Sequence, residues 1–324
     1  MGVDGEESKG PLIALVGPTA VGKTALALRL AIDIKGEIVS ADSRQIYRGM
    51  DIGTAKASPE DRQRVSHHLI DVVDPDETFT LAQYQEAAYG AIDDILARGY
   101  VPFLVGGTGL YIRAVLDGLG IPRVAPNAAL RADLYARAQR EGHEALHHWL
   151  AEVDPQAAAG IDARNARRVI RALEVYLESG HPISDLQAAI PPPYRILRIG
   201  LSMERSRLYQ RIDERVERML AMGLVDEVRG LLARGYQLSL ASMSGVGYRQ
   251  IVYCLQGQID LAEAVRLIKH DTRRFVRQQG TWFRADDPTI HWFDVTDDRE
   301  AAYVGIRQLV AAFLLRADAG QPAI

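Results

Sequence analysis

Two periodicities alternate along the first third of the chain. Short apolar runs bounded by Gly, Pro or Asp, at 12–16, 37–40, 68–72 and 102–105, predict strands. Between them, 23–34 and 81–98 place apolar residues at helical spacing. Strands alternating with helices predict βαβ units and a parallel sheet. The rhythm breaks near residue 120, after which only helical pieces are predicted, at 128–141, 145–152 and 163–178, up to the run Pro191-Pro192-Pro193. Strand patterns return at 195–201 and 290–295, with helices predicted at 204–222, 224–234 and 262–284. The expectation is a discontinuous α/β core, 11–119 and 194–315, interrupted by an all-α insertion at 120–193. The N-terminal tail and residues 321–324 are expected to fray.

Composition narrows the class without naming an activity. Hydrophobic residues make up 48% and charged residues 25% of 324, which excludes a disordered or fibrous chain. No apolar run approaches the roughly 18 residues of a membrane span. The opening MGVDGEESKGP is polar and acidic and lacks an apolar signal-peptide core, and Glu6 stands where a myristoylation signal wants Ser or Thr. The expected compartment is the cytoplasm. The single cysteine, Cys254, excludes an internal disulfide and a cysteine-based zinc site, and its place in the run IVYCL reads as a buried small hydrophobe. His67-His68 and His147-His148 are poor metal pairs, because adjacent side chains diverge on a strand or a helix. A net charge of −4 leaves nucleic-acid binding to local clustering.

The first chemical signal is Gly17-Pro18-Thr19-Ala20-Val21-Gly22-Lys23-Thr24, which matches G-x-x-x-x-G-K-[ST] between a predicted strand and a predicted helix. Glycines let successive N–H groups converge on one anion, and the helix N-terminus adds partial positive charge. Lys23 supplies a full charge and Thr24 a hydroxyl for Mg²⁺. The fold class expected is therefore α/β, a P-loop NTPase-like parallel sheet flanked by helices. The loop binds a di- or triphosphate, and its commonest owners are ATP-binding kinases and nucleotide hydrolases. Such enzymes often end an apolar strand in a metal-binding acid. Here 101–105 is followed instead by Gly106-Gly107-Thr108-Gly109-Leu110-Tyr111.

The second strand ends in Ser40-Ala41-Asp42-Ser43-Arg44-Gln45. Strand C-termini in an open α/β sheet face the ligand crevice, so Asp42 should point toward the phosphate site. It could hold a metal or accept a proton; an ordinary solvated turn or an N-cap is the plainer alternative.

The ordered set Gly17–Thr24, Asp42–Tyr47, Asp51-Ile52-Gly53-Thr54-Ala55-Lys56, His67–Asp71, Val105–Tyr111, Arg168–Tyr176, Gly247-Tyr248-Arg249-Gln250 and Thr281-Trp282-Phe283-Arg284 resembles the bacterial tRNA dimethylallyltransferases over residues 11–315. The resemblance implies a non-hydrolytic use of the loop. Dimethylallyl diphosphate would bind it, adenine N6 of the nucleotide 3′ of the anticodon would attack C1, and pyrophosphate would leave. Lys23, Thr24 and Mg²⁺ would stabilise the leaving group, and Asp42 would take the amine proton. Arg215 and Thr108 correspond to reaction-channel residues of the family. Read alone, Arg215 is one more charge on an Arg-rich helix, and Thr108 is equally plain.

Base chemistry needs an unstacked base, which an anticodon stem-loop offers. Between 266 and 284, Arg266, Lys269, Arg273, Arg274, Arg277 and Arg284 face only Asp271 in sequence, a local excess of five positive charges. Arg164, Arg167, Arg168 and Arg171 cluster in the insertion. Both clusters are candidate phosphate contacts, and a solvated helix face is the alternative. The resemblance places tRNA contacts at Asp42, Ser43, Arg44, Gln45, Thr108, Arg131, Arg167, Arg168, Arg171, Gly247, Tyr248, Arg249, Arg277 and Arg284. Gln45 can offer an amide to an adenine edge, and Trp282 could stack or lie in the core. Two departures from the family pattern are Arg277-Gln278-Gln279, where Lys-Arg-Gln is common, and Asp162-Ala163-Arg164-Asn165 in place of His-Pro-Asn-Asp. The expected partners are tRNA and dimethylallyl diphosphate, with no membrane and a monomeric state. Prenyl transfer to free adenine nucleotides, a small-molecule kinase and an RNA-binding module with a vestigial loop stay open as alternatives.

Overall fold

The computed structural model describes residues 8–318, so the expected fraying of the tail and of 321–324 lies outside the described residues. Six parallel strands form one sheet: β1 (Pro11–Val16), β2 (Gly36–Ala41), β3 (His67–His68), β4 (Val101–Gly106), β5 (Arg195–Ser202) and β6 (Ile290–Asp294). Their order is β3-β2-β4-β1-β5-β6. The helices are α1 (Lys23–Ile34), α2 (Pro59–Arg64), α3 (Leu81–Ala97), α4 (Gly109–Leu116), α5 (Ala128–Glu141), α6 (His143–Val153), α7 (Pro155–Gly160), α8 (Ala166–Ser179), α9 (Ile183–Leu186), α10 (Arg205–Ala221), α11 (Leu224–Ala233), α12 (Tyr248–Leu255), α13 (Leu261–Gln279) and α14 (Arg299–Asp318). None among the described residues is long and apolar enough to cross a membrane.

The chain divides into two units. One takes the chain up to Val115 and again from Pro193; the other is Leu116–Pro192. In the first, the central strands are buried on both faces, as parallel sheets require. Ile13, Leu15, Phe103 and Ile199 pack with Ala27, Leu30 and Ala31 of α1 and with Ile306 and Val310 of α14. A second core gathers Ile46, Tyr47 and Met50 with residues of α10 to α13, among them Val216, Leu231, Tyr248 and Ile268. It holds the segment after β2 and so fixes where that strand delivers Asp42.

The helical unit is built on Leu134, Leu146, Leu150, Val169, Ile170 and Leu173. Two carboxylates, Asp154 and Glu174, are also buried in this unit, and Glu174 sits between two arginines. Glu174 accepts from Arg131 Nε and Nη2 at 2.8 Å each, from Arg171 Nη1 at 2.6 Å and from the Asn127 N–H at 2.8 Å. Burial alone would raise its pKa; the two guanidiniums reverse the direction and hold it low.

Three differences from the sequence reading have local causes. The strand expected at 68–72 stops at His68, because Leu69 and Asp71 take φ of 60° and 57° and turn the chain. Asp71 there meets Lys56 Nζ at 2.6 Å and Arg62 Nη1 at 2.8 Å. The helix expected to reach 284 ends at Gln279, whose side chain turns into the site. The helix expected from 163 starts at Ala166, capped by the Asn165 side chain, which accepts from the Arg168 N–H. Cys254 is half-buried at the margin of the second core.

Candidate active site

β1 ends at Val16 and the chain turns through Gly17, Ala20 and Gly22 at φ of 139°, 66° and 115° before α1 begins at Lys23. No side chain caps α1, and its first turn carries no acid. Its opening N–H groups therefore present positive potential to an anion. Lys23 Nζ folds back on the loop and donates to the Gly17 and Pro18 carbonyls, both at 2.8 Å. Burial lowers the Lys23 pKa to about 7; Arg215 adds to the shift and Asp42 opposes it. Burial also pulls Arg215 down from the ordinary guanidinium range, again against Asp42. Two cations and one carboxylate thus share a single electrostatic neighbourhood at the loop.

Asp42 follows the last residue of β2. Its Oδ1 accepts from the Arg44 N–H at 2.9 Å, which tightens the turn. Thr108 ties this turn to the end of β4: its Oγ1 accepts from the Ser43 N–H at 3.0 Å, and its own N–H donates to the Ala41 carbonyl at 3.2 Å. The β4 loop must be glycine-rich for steric reasons. A Cβ on Gly106 would lie 2.1 Å from the Ala41 carbonyl oxygen, and one on Gly109 would lie 2.2 Å from the Trp282 side chain. Trp282 is 40% exposed, so it stands at the rim rather than in the core. Below the turn, the rings of Tyr84 and Tyr111 stack with centroids 3.7 Å apart. Burial raises both phenols, and Asp42 contributes to each shift.

Gln279, which sequence reasoning did not single out, joins the two loops. Its Oε1 accepts from the Thr19 N–H at 2.9 Å, and its Nε2 donates to the Gly107 carbonyl at 2.9 Å. It is 3% exposed, and its partners lie 260 and 172 residues away, so the run Arg277-Gln278-Gln279 marked its position but not its task. Glu227 is a second such residue. It accepts from the N–H groups of Asp51, Ile52 and Gly53 at 2.9, 2.7 and 3.1 Å and from the Tyr248 hydroxyl at 2.7 Å. Lys56 completes that scaffold by donating to the Tyr47 carbonyl and to Asp51 and Asp71.

The structure brings Lys23, Thr24, Asp42, Thr108 and Arg215 together, but it distributes the expected tRNA-contact residues among different tasks. Gln45 Nε2 donates to the Thr54 and Ala55 carbonyls, and its Oε1 accepts from Ser40 Oγ at 3.1 Å, so its amide already has internal partners. Arg44 donates to the Ala241 and Ser242 carbonyls. Tyr248 is buried, with its ring where a Cβ on Gly53 would be. Gly247, at φ 99°, opens α12, and Arg249 and Gln250 both reach Asp271 Oδ2. Arg131 and Arg171 grip Glu174, whereas Arg167 and Arg168 are exposed.

Folding pairs four of the six cations counted between 266 and 284 with acids and leaves exposed Arg274 and Arg277 without an ion pair within 4 Å among the described residues. Arg266 pairs with Glu263, Lys269 with Glu217, Arg273 with Asp213, and Arg284 with Asp286. Arg277 donates to the Tyr209 hydroxyl at 3.3 Å. All four acids lie outside the stretch counted in the sequence, two of them on α10.

For a divalent metal the test is the donor set. Among the described residues no three His, Cys, Asp or Glu side chains converge, which excludes an all-protein cage there. The Thr24 hydroxyl is an oxygen donor in the first turn of α1 beside the loop. Magnesium bound through one or two protein oxygens and substrate phosphates suits that set.

The IPP transferase family model matches residues 45–286. A tRNA dimethylallyltransferase of Roseiflexus sp. (strain RS-1) is 54% identical, over 93% of this chain and 99% of that protein. One of Roseiflexus castenholzii is 60% identical, over 85% of this chain and 90% of that protein. Among solved structures, the tRNA isopentenylpyrophosphate transferase of Bacillus halodurans is 42% identical and superposes with a TM-score of 0.71, over 95% of this chain and 98% of that one. A eukaryotic dimethylallyltransferase acting on tRNA, 24% identical, shares the fold with a TM-score of 0.80, over 96% of this chain and 80% of that one. A phosphate loop facing a strand-end aspartate, on a six-stranded parallel sheet, within matches that run nearly end to end, places this chain in the IPP transferase family.

Proposed function

We infer that this chain transfers a dimethylallyl group to an adenosine of tRNA. The donor is dimethylallyl diphosphate, the acceptor is N6 of the adenosine 3′ of the anticodon, and the enzyme works as a cytoplasmic monomer. The observation that carries the reading is Asp42, a carboxylate within electrostatic reach of the Lys23 and Arg215 cations at the phosphate loop. A phosphoryl-transfer enzyme would be expected to place a metal-binding acid after β4. This chain has Gly106 and Gly107 there, closed by Ala41 and Gln279.

The residues divide the chemistry between them. The loop N–H groups, Lys23 and Arg215 hold the diphosphate and stabilise the charge that grows on it. The N6 lone pair forms a bond to C1 as the C1–O bond breaks, and that bonding pair leaves with pyrophosphate. Asp42 accepts the N6 proton. Thr108 positions the Asp42 turn through Ser43. Thr24 would hold magnesium together with diphosphate oxygens, and the ion would supply further neutralisation of the leaving group. Exposed Arg167 and Arg168 are the candidates for RNA phosphates, and exposed Trp282 is the candidate to stack on a base.

The test is a nucleoside mass analysis after incubation with magnesium, dimethylallyl diphosphate and unmodified tRNA, with AMP and ATP in parallel. Adenosine gaining a dimethylallyl group in tRNA alone is the expected result. A prenylated free nucleotide, or ATP consumed with no prenyl product, would overturn it.

A further inference from the structure

Beside the phosphate loop lies a cavity of about 260 Å³ walled by α10 and by the segment that enters α14. Arg207, Arg211, Arg218 and Arg299 line it, with Thr296 and a single carboxylate, Glu214. On α10 the arginines recur at intervals of four and seven residues and so share one helix face. None of the four forms an ion pair within 4 Å among the described residues, in contrast to α13, where Arg266, Lys269 and Arg273 all meet acids. Glu214 accepts from Gln210 Nε2 at 3.0 Å. Arg211 links cavity and loop. Its Nη2 would lie 3.9 Å from a Cβ on Gly22, and its Nη1 is buried without a hydrogen-bond partner. A buried guanidinium N–H without an acceptor is costly, and four like charges around one space repel. An anion rich in oxygen acceptors relieves both.

We propose that this cavity is a second diphosphate site, separate from the loop site and adjoining it. The choice of diphosphate among polyanions rests on the transfer reaction proposed above. That reaction supplies the group twice, as the head of the incoming donor and as the departing pyrophosphate. Four guanidiniums suit it because each forks onto two oxygens.

Titration calorimetry with inorganic diphosphate in magnesium tests the site. Two equivalents are expected per wild-type chain. One should be lost in Arg218→Ala/Arg299→Ala and the other in Lys23→Ala, each weakened by about tenfold or more. Arg299→Glu alone, at an exposed helix end, gives the same reading if the double variant does not fold. Kinetics then assign the source. Weaker pyrophosphate inhibition at an unchanged KM marks the leaving group; a raised KM for dimethylallyl diphosphate at an unchanged kcat marks the incoming head. Either outcome supports the site. A single equivalent in wild type, abolished by Lys23→Ala and untouched by the arginine changes, overturns it. A chain that makes no prenyl product refutes the transfer reading, whereas the stoichiometry still reports on the cavity.

Discussion

Replacing Gln279 by Ala separates the two loops of the site without touching a charged group. The side chain closes two hydrogen bonds of 2.9 Å, from the Thr19 N–H and to the Gly107 carbonyl, in a place 97% shielded from solvent. Each buried group left unpaired costs about 1–3 kcal/mol. The pair together should cost roughly 2–5 kcal/mol, with water entering the gap to reduce it. At about 2–4 °C per kcal/mol for a domain of this size, the melting temperature should fall by roughly 4–20 °C. The functional effect should be specific. Thr19 belongs to the segment that presents N–H groups to the diphosphate, so KM for dimethylallyl diphosphate should rise by about tenfold, while tRNA affinity holds. Gln279→Glu sharpens the test. It keeps an acceptor for Thr19 but sets a carboxylate against the Gly107 carbonyl and beside the anion site, so its KM should rise further than that of the alanine variant. Thermal melts and steady-state transfer kinetics on both variants measure these effects. Wild-type melting together with a wild-type KM would refute the bridge.

The remaining predictions concern charge. The Lys23 pKa is lowered to about 7 in the free protein and binding diphosphate at the loop should restore its proton, so at pH 8 uptake should approach one proton per chain; calorimetry in buffers of different ionisation heat reads it, and zero uptake contradicts it. Glu37, 5% exposed, is held down to about 2 by hydrogen bonding to Arg98, with His68 adding to the effect. Its folded pKa is depressed, so the stabilisation is present above the unfolded carboxylate value and fades as pH falls from about 4.5 toward 2; Glu37→Gln should cost roughly 1–3 kcal/mol near neutrality, discounted for the half-exposed Arg98, and a pH-independent melting difference across the acid range would contradict the assignment. Arg167→Gln/Arg168→Gln should leave the melt unchanged and lower the salt slope of tRNA binding by about 1–2, whereas Arg131→Ala should mainly destabilise the helical unit by leaving Glu174 underpaired; an unchanged slope in the first variant moves the RNA footprint elsewhere.

What the sequence disclosed was local, and what it concealed was long-range. β1, β2 and β4 announce themselves because buried parallel strands are short apolar runs, and the glycine–lysine loop announces the anion site. The third strand failed because the apolar pattern at 68–72 does not show that Leu69 and Asp71 adopt positive φ. Helix α14 gave no stripe to read: apolar residues lie on nearly all sides of Arg299–Asp318. The charge count between 266 and 284 overstated the free cations because acids outside the stretch meet four of them, Asp213 and Glu217 from as far away as α10. Asp42 could be placed from its strand end, whereas Gln279 and Glu227 act only through partners far along the chain.

The central claim is that Asp42, facing the diphosphate cradle, takes the proton from the attacking amine. Single-turnover prenyl transfer by Asp42→Asn, with tRNA binding measured on the same preparation, tests it most directly. Transfer slowed by about 10²–10⁴-fold at unchanged tRNA affinity is the predicted result. Transfer at the wild-type rate would remove Asp42 from the chemistry and contradict the account.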